Sequence, residues 1–345
     1  MGTYGRRGTR VNSADVLLLQ LLVAVLALAA CGGSSTTASS SPSSSPSSSI
    51  PSWQDLKDQS EASSISTLTV RIPAKDATFA EMKQMYDYDR SEPLDFTRRG
   101  TADWDGVTAQ VIEYTSAGCT VDGMLAVPEG KGPFPVVLCA PGSDCRIWMF
   151  DKYVPALTRM GIAALVIDPP DHRAPNVNID VGGAAGWIKG NARYVVDLRR
   201  ALDLLETLPE IDSKRIGYVG HSWGAEPPGG LLAGVDQRIK AYALTYGGGS
   251  LRGLDPVLVG ELQDPAEYIA HNRGAAFLFQ NTKADSGAGE ENGSYSAKRI
   301  AALFAAAPGP KIFQWVPGTH GELYKHPQGR PARFQLAWLQ KNLLE

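Results

Sequence analysis

Cysteine is scarce in this chain, with four residues in 345. One of them, Cys31, ends an apolar leader, and the other three, Cys119, Cys139 and Cys145, are too few and odd in number for a disulfide framework. A single bridge is open to them at most, with Cys139 and Cys145 the near pair, and Cys139 reads as a buried free thiol because it lies in an apolar strand. No sign of charge dominates either. There are 33 basic and 36 acidic residues, a net charge of −3, and no run of Lys or Arg to give an electrostatic footprint for nucleic acid. The five histidines and the cysteines lack metal-ligand spacing, and Gly247-Gly248-Gly249 lacks the spacing of a phosphate-cradling fingerprint. No metal, no cofactor and no nucleic-acid partner is therefore expected.

What is present begins with a leader. Arg6, Arg7 and Arg10 precede an apolar stretch, residues 16–30, that is too short for a comfortable membrane span. It ends in Leu28-Ala29-Ala30-Cys31, which resembles a bacterial lipobox, where the cysteine thiol is lipidated and becomes the mature N-terminus. The plainer alternative is an ordinary signal peptide cleaved after Ala30. From Gly32 to about Ser49 the chain is nearly all Ser, Thr, Gly and Pro, which bury no apolar area and read as a flexible tether. The expected organisation is a signal peptide over 1–30, a tether over 31–62 and a catalytic domain over 63–345. That places the protein on the extracytoplasmic side of a membrane, held by lipid at Cys31, or secreted if Cys31 is unmodified.

Beyond the tether about 280 residues remain, enough for one large domain with its own core. Residues 67–105 are mixed and read as an N-terminal extension. Residues 107–115 and 120–127 are β-rich around Ser116-Ala117-Gly118 and predict a hairpin. Residues 135–140 and 162–167 are continuous apolar runs of the kind buried on both faces of a sheet, with a helical pattern over 147–160 between them. Residues 190–208 form the clearest helix, with Val195, Leu198, Leu202 and Leu205 on one face and Arg199, Arg200 and Asp203 on the other. Further strands are predicted over 239–246, 275–280 and 311–316, and helices over 294–306 and 333–344. The segment 251–272 reads as an insertion able to cover a site. Alternating strands and helices predict an α/β fold with a mostly parallel central sheet, flanked by helices and fed by antiparallel N-terminal strands.

Gly220-His221-Ser222-Trp223-Gly224 follows one of these strands, Arg215-Ile216-Gly217-Tyr218-Val219. A serine with glycine two residues away on each side fits a tight strand-to-helix turn that holds Oγ exposed above a helix N-terminus. An acid and a histidine should follow in that order. Asp285 lies just past the strand at 275–280, and His320 just past the strand at 311–316, so all three fall at one edge of a parallel sheet. Glu290 and Glu291 compete as the acid but sit deeper in a Gly-rich loop. His326 is not directly at a strand end, and His172 precedes the serine.

Over residues 107–344 the chain resembles the α/β-hydrolase superfamily, and in particular its dienelactone-hydrolase-like and acetyl-xylan-esterase-like branch. The likeness rests on Gly132-Pro133-Phe134-Pro135-Val136-Val137, Asp264-Pro265 with Tyr268-Ile269, and Phe279-Gln280-Asn281 with Asp285. It implies Ser222 as nucleophile, His320 as base and Asp285 as the acid that orients it, acting on a small-molecule carboxylic ester. It also implies an oxyanion hole from the backbone N–H groups of Trp223 and Ser143, where Pro141-Gly142 stands in place of the usual His-Gly. One departure is expected to matter: Pro227 and Pro228 fall inside the helix that should start at the nucleophile, where they would remove a backbone bond and kink the segment. The alternatives are a catalytically impaired binding module of the same fold and a small oligopeptidase-like peptidase.

Overall fold

The computed structural model describes residues 68–143, 145–172, 183–253, 257–285, 289, 293 and 295–345. The leader, Cys31, the tether, Glu290, Glu291 and the side chain of His172 lie outside these residues. A short helix α1 (Phe79–Lys83) opens them, closed by a capping box in which Thr78 and Glu81 each satisfy the other's backbone N–H. Two antiparallel hairpins follow. β1 (Thr97–Trp104) pairs with β2 (Val107–Ser116) across Asp105-Gly106, and β2 pairs with β3 (Cys119–Ala126) across Ala117-Gly118. All four turn residues have positive φ, from 42° at Ala117 to 79° at Gly106, as two-residue turns matched to strand twist require. β1 is an addition to the mixed extension expected from the sequence. Arg98 and Arg99 are exposed on it, the kind of charge that discourages pairing at a sheet edge.

The rest alternates. In chain order come β4 (Phe134–Ala140), α2 (Tyr153–Arg159), β5 (Ala163–Ile167), α3 (Gly183–Thr207), β6 (Ile211–His221) and α4 (Pro228–Val235). Then follow β7 (Ile239–Thr245), α5 (Val257–Leu262), α6 (Pro265–Ile269), β8 (Ala276–Asn281), α7 (Ala297–Ala306), β9 (Lys311–Trp315), α8 (Glu322–Lys325) and α9 (Arg330–Leu344). Among the described residues nine strands make one sheet in the order β1-β2-β3-β5-β4-β6-β7-β8-β9, antiparallel as far as the β3–β5 pair and parallel from β5 onward. Successive side chains of a strand go to opposite faces. Leu138 joins the apolar layer under α3, α4 and α7, whereas Val137 and Cys139 join the layer under α2 and α9. Burial on both faces is why these strands read as unbroken apolar runs.

Cys119, Cys139 and Cys145 are all buried, and desolvation pushes the Cys139 thiol up so that it stays protonated. Among the described residues no helix is long and apolar enough to cross a membrane. The register Ala140–Gly220, His221–Thr245, Thr245–Gln280 and Asn281–Trp315 aligns the C-terminal ends of β4, β6, β7, β8 and β9. Every loop that follows these ends therefore opens at one edge, where an α/β sheet binds its ligands.

Candidate active site

Ser222 stands at the end of β6 with φ 51°, a left-handed conformation that a non-glycine residue adopts only when its surroundings force it. The surroundings are close backbone. A Cβ on Gly220 would lie 2.6 Å from the Gly224 carbonyl oxygen, and one on Gly224 would lie 2.2 Å from the Ala140 carbonyl oxygen. Both glycines of the pentapeptide are thus steric requirements of the turn. The Tyr218 hydroxyl donates to the Gly224 carbonyl, and the Ser222 carbonyl accepts from the N–H groups of Ala225 and Glu226, each at 2.9 Å.

The expectation about the two prolines is corrected here. Ser222 does not start a continuous helix: a 3₁₀ turn over Ser222–Gly224 ends first, and α4 begins afresh at Pro228. Pro227 is the capping residue of α4 and Pro228 its first helical residue, while the Pro227 carbonyl accepts from Leu231 N–H at 3.0 Å. At these positions a backbone N–H has no intrahelical partner to lose, so the prolines leave the bonding of α4 intact.

The wall beside Ser222 is built by α3 and the loop after β4. Trp223 Nε1 donates to Asn191 Oδ1 at 2.8 Å, Asn191 Nδ2 donates to Gln263 Oε1 at 2.9 Å, and Gln263 Nε2 donates to the Ile188 carbonyl at 3.0 Å. The Tyr194 ring packs 5.1 Å from the Trp223 ring and its hydroxyl donates to the Pro141 carbonyl at 2.9 Å. A Cβ on Gly142 would lie 2.7 Å from Ser222 Cβ, so glycine is what lets this loop approach the serine, and Ser143 is the next residue. From the far side, buried Asp168 holds the same loop through Arg146 Nη2 at 2.9 Å and Ile147 N–H at 3.2 Å.

The loops after β8 and β9 are laced together. Val316 N–H donates to the Asn281 carbonyl at 2.8 Å, and the Thr282 hydroxyl donates to the Gly318 carbonyl at 2.6 Å. This brings His320 Nδ1 to 2.9 Å from Asp285 Oδ1, with the Asp285 side chain 3% exposed and that of His320 27%. A carboxylate only accepts, so Nδ1 is the donor in this contact and Nε2 is the ring nitrogen not engaged by Asp285. His326 stands apart, with a side chain 67% exposed and 3.6 Å from Glu322.

Three further groups crowd this edge. Tyr295, which the sequence did not single out, lies with its ring 5.8 Å from that of His320 and its phenol beside the Ser222 side chain. Burial, and after it the charge of Asp285, push its phenol up to about 12, so it remains a donor at neutral pH. His221 is buried beneath, 5.1 Å from the His320 ring and 5.6 Å from the Tyr324 ring, and neither of its nitrogens has a hydrogen-bond partner among the described residues. Burial first, and the neighbouring His320 second, hold it well below the usual histidine range, so it is neutral. The Glu226 carboxyl is likewise buried without a partner among the described residues. Burial, then Asp264, keep it well above the usual carboxylate range.

A family model described as esterase FrsA-like matches residues 97–247, a span that contains Ser222 but neither Asp285 nor His320. The chain is 31% identical over 156 residues to the esterase FrsA of Klebsiella pneumoniae subsp. pneumoniae, covering 45% of this chain and 33% of that protein. It is 30% identical over 138 residues to that of Escherichia coli O157:H7, covering 39% and 31%. The matches thus span about a third of the length of these curated relatives. Among solved structures, acetyl xylan esterase 1 from Thermoanaerobacterium sp. JW/SL YS485 superposes with a TM-score of 0.58 at 17% identity, covering 85% of this chain and 99% of that one. The acetyl xylan esterase from Paenibacillus sp. R4 gives 0.57 at 17% identity, covering 77% and 100%. With the sheet order, these likenesses show the α/β-hydrolase fold.

Proposed function

We propose that this protein is a serine hydrolase that cleaves small carboxylic esters through an acyl-enzyme. The observation that carries this is the meeting, at one sheet edge, of a serine held at positive φ and a histidine hydrogen-bonded to a buried aspartate. Ser222 Oγ attacks the ester carbonyl as its proton passes to His320 Nε2. That proton then goes to the leaving alkoxide, and water drawn through the same imidazole releases the acid. Asp285 holds the Nδ1–H tautomer and stabilises the imidazolium. The N–H groups of Trp223 and Ser143 receive the oxyanion. The esterase relatives and the acetyl xylan esterase likenesses support the reading, and the impaired-module alternative loses its main argument with the prolines at the head of α4. Residues 63–345 are the catalytic domain on this view, tethered outside the cytoplasm through a lipid on Cys31 after removal of residues 1–30.

A fluorophosphonate probe tests the nucleophile. The wild type should take one probe on the peptide carrying Ser222 and hydrolyse p-nitrophenyl acetate. Ser222→Ala should fold, take no probe and lose turnover apart from the residue left by the oxyanion hole. Undiminished turnover in Ser222→Ala would overturn the assignment.

A further inference from the structure

Tyr295 enters the site from a particular side. β6, which carries Ser222, has β4 as its neighbour on one side and β7, then β8 and β9, on the other. The loop with Ser143 therefore flanks the serine from the β4 side. Tyr295, on the connection between β8 and α7, and His320, after β9, flank it from the opposite side. The Tyr295 ring stands edge-on to that of His320, at 5.8 Å and 78°, and its phenol neighbours the Ser222 side chain. Ser296, the next residue, caps α7 by accepting from Arg299 N–H, which fixes the backbone at this point.

In a tetrahedral intermediate on Ser222 Oγ the substituents divide along the same line. The oxyanion points to the Trp223 and Ser143 N–H groups, and the leaving oxygen must point to His320, because His320 gives it a proton. We infer that the Tyr295 hydroxyl is a hydrogen-bond donor to the leaving alkoxy oxygen, acting beside His320 in the step that expels the alcohol. This rests on the serine-hydrolase reading above. When the intermediate collapses, the bond between carbon and the alkoxy oxygen breaks and its electron pair leaves with that oxygen. The proton on His320 Nε2 goes to the departing oxygen. Tyr295 keeps its own proton and lowers the charge building there through the hydrogen bond alone. With its phenol pushed up to about 12, it serves as a donor throughout the neutral range.

Such help matters in proportion to how poor the leaving group is. A nitrophenolate leaves unaided, whereas an alkoxide needs a proton and a donor. The inference is tested by kcat/KM of full-length wild type, Tyr295→Phe and Ser222→Ala on p-nitrophenyl acetate and on ethyl acetate, which share an acyl group. Active sites are counted by fluorophosphonate titration, so that only correctly folded molecules enter the rates. Tyr295→Phe should lower kcat/KM on the ethyl ester about 10–100-fold more than on the nitrophenyl ester, the loss of one well-placed donor to a developing charge. An equal loss on both esters, as an oxyanion donor or a merely structural residue would give, overturns the role, and so does no loss on either. A wild type that hydrolyses neither ester, or a Ser222→Ala variant as active as wild type, overturns the underlying reading and this role with it.

Discussion

The regions around the two ends of α3 hold polar residues in opposite ways. Its C-terminal half, with the entry to β7, pairs each charge it buries. Arg200, 1% exposed, donates to the Glu92 carbonyl at 2.8 Å and to Asp203 at 3.3 Å. Asp203 also takes Arg238 at 2.7 Å, Arg90 at 2.9 Å and the Tyr88 hydroxyl at 2.9 Å, and Arg238 closes onto Asp236 at 2.7 Å. These bonds clamp the N-terminal extension to the domain. The N-terminal half of α3 instead faces the edge where Ser222 sits at positive φ. There His221 and Glu226 are buried with no hydrogen-bond partner among the described residues. Each such arrangement costs stability, by about 1–3 kcal/mol. The surroundings of one end of the helix thus use polar groups to hold the chain together. At the other end Asn191, Arg193 and Tyr194 are themselves bonded, but the neighbouring end of β6 and the turn after it carry strain and unmet hydrogen bonds.

The largest way to break this contrast is to remove the hub of the clamp. Asp203→Ala leaves Arg200, Arg238 and Arg90 without their shared acceptor, and breaking a buried ion pair costs about 3–5 kcal/mol. Urea denaturation should show a loss of that order, while ester turnover per folded molecule stays at the wild-type level. A fall in turnover of the folded fraction would tie the clamp to the site and erase the distinction.

Glu226 sharpens the other side through pH. Its folded pKa is raised, so above about pH 4.5 the native protein holds a proton that the unfolded chain has released, and stability falls as pH rises until the folded pKa is passed. His221 acts in the opposite sense. Its folded pKa is lowered, so stability is lost as pH drops below about 6.5, where only the unfolded chain takes the proton. Glu226→Gln removes the first slope and keeps the second. Its stability relative to wild type should therefore grow with pH from about 5 to 8, by up to about 1.4 kcal/mol per unit while the native carboxyl stays protonated. A stability difference independent of pH would mean that Glu226 is ionised in the native state.

Much of this architecture is legible in the sequence because burial on both sheet faces writes itself as apolar runs, and β4 to β8 were located that way. The elbow is legible because Gly220 and Gly224 are needed where a Cβ would strike backbone. Asp285 and His320 are legible by order and by their places after strands. β1 was not, since an edge strand carrying Thr97, Arg98, Arg99 and Asp103 has no apolar alternation; its clearest sign was the Asp105-Gly106 turn. The place of Pro227 and Pro228 at a new helix start is not legible, because the 3₁₀ turn over Ser222–Gly224 packs against the loop after β4, which no local pattern records. Tyr295 was invisible for a similar reason. It comes to Ser222 across the sheet from a Gly- and Glu-rich segment whose spacing carries no signal.

On the serine-hydrolase proposal the strain at residue 222 is kept for chemistry, and one variant reads both sides of it. Ser222→Gly puts at φ 51° a residue that adopts this conformation freely. Relief of the left-handed strain, less the chain entropy a glycine costs, should stabilise the protein by about 0.5–1 kcal/mol. Measured on one sample, thermal unfolding should shift upward while p-nitrophenyl acetate turnover and fluorophosphonate labelling disappear. A variant that is less stable than wild type, or that still turns over the ester, would contradict the account.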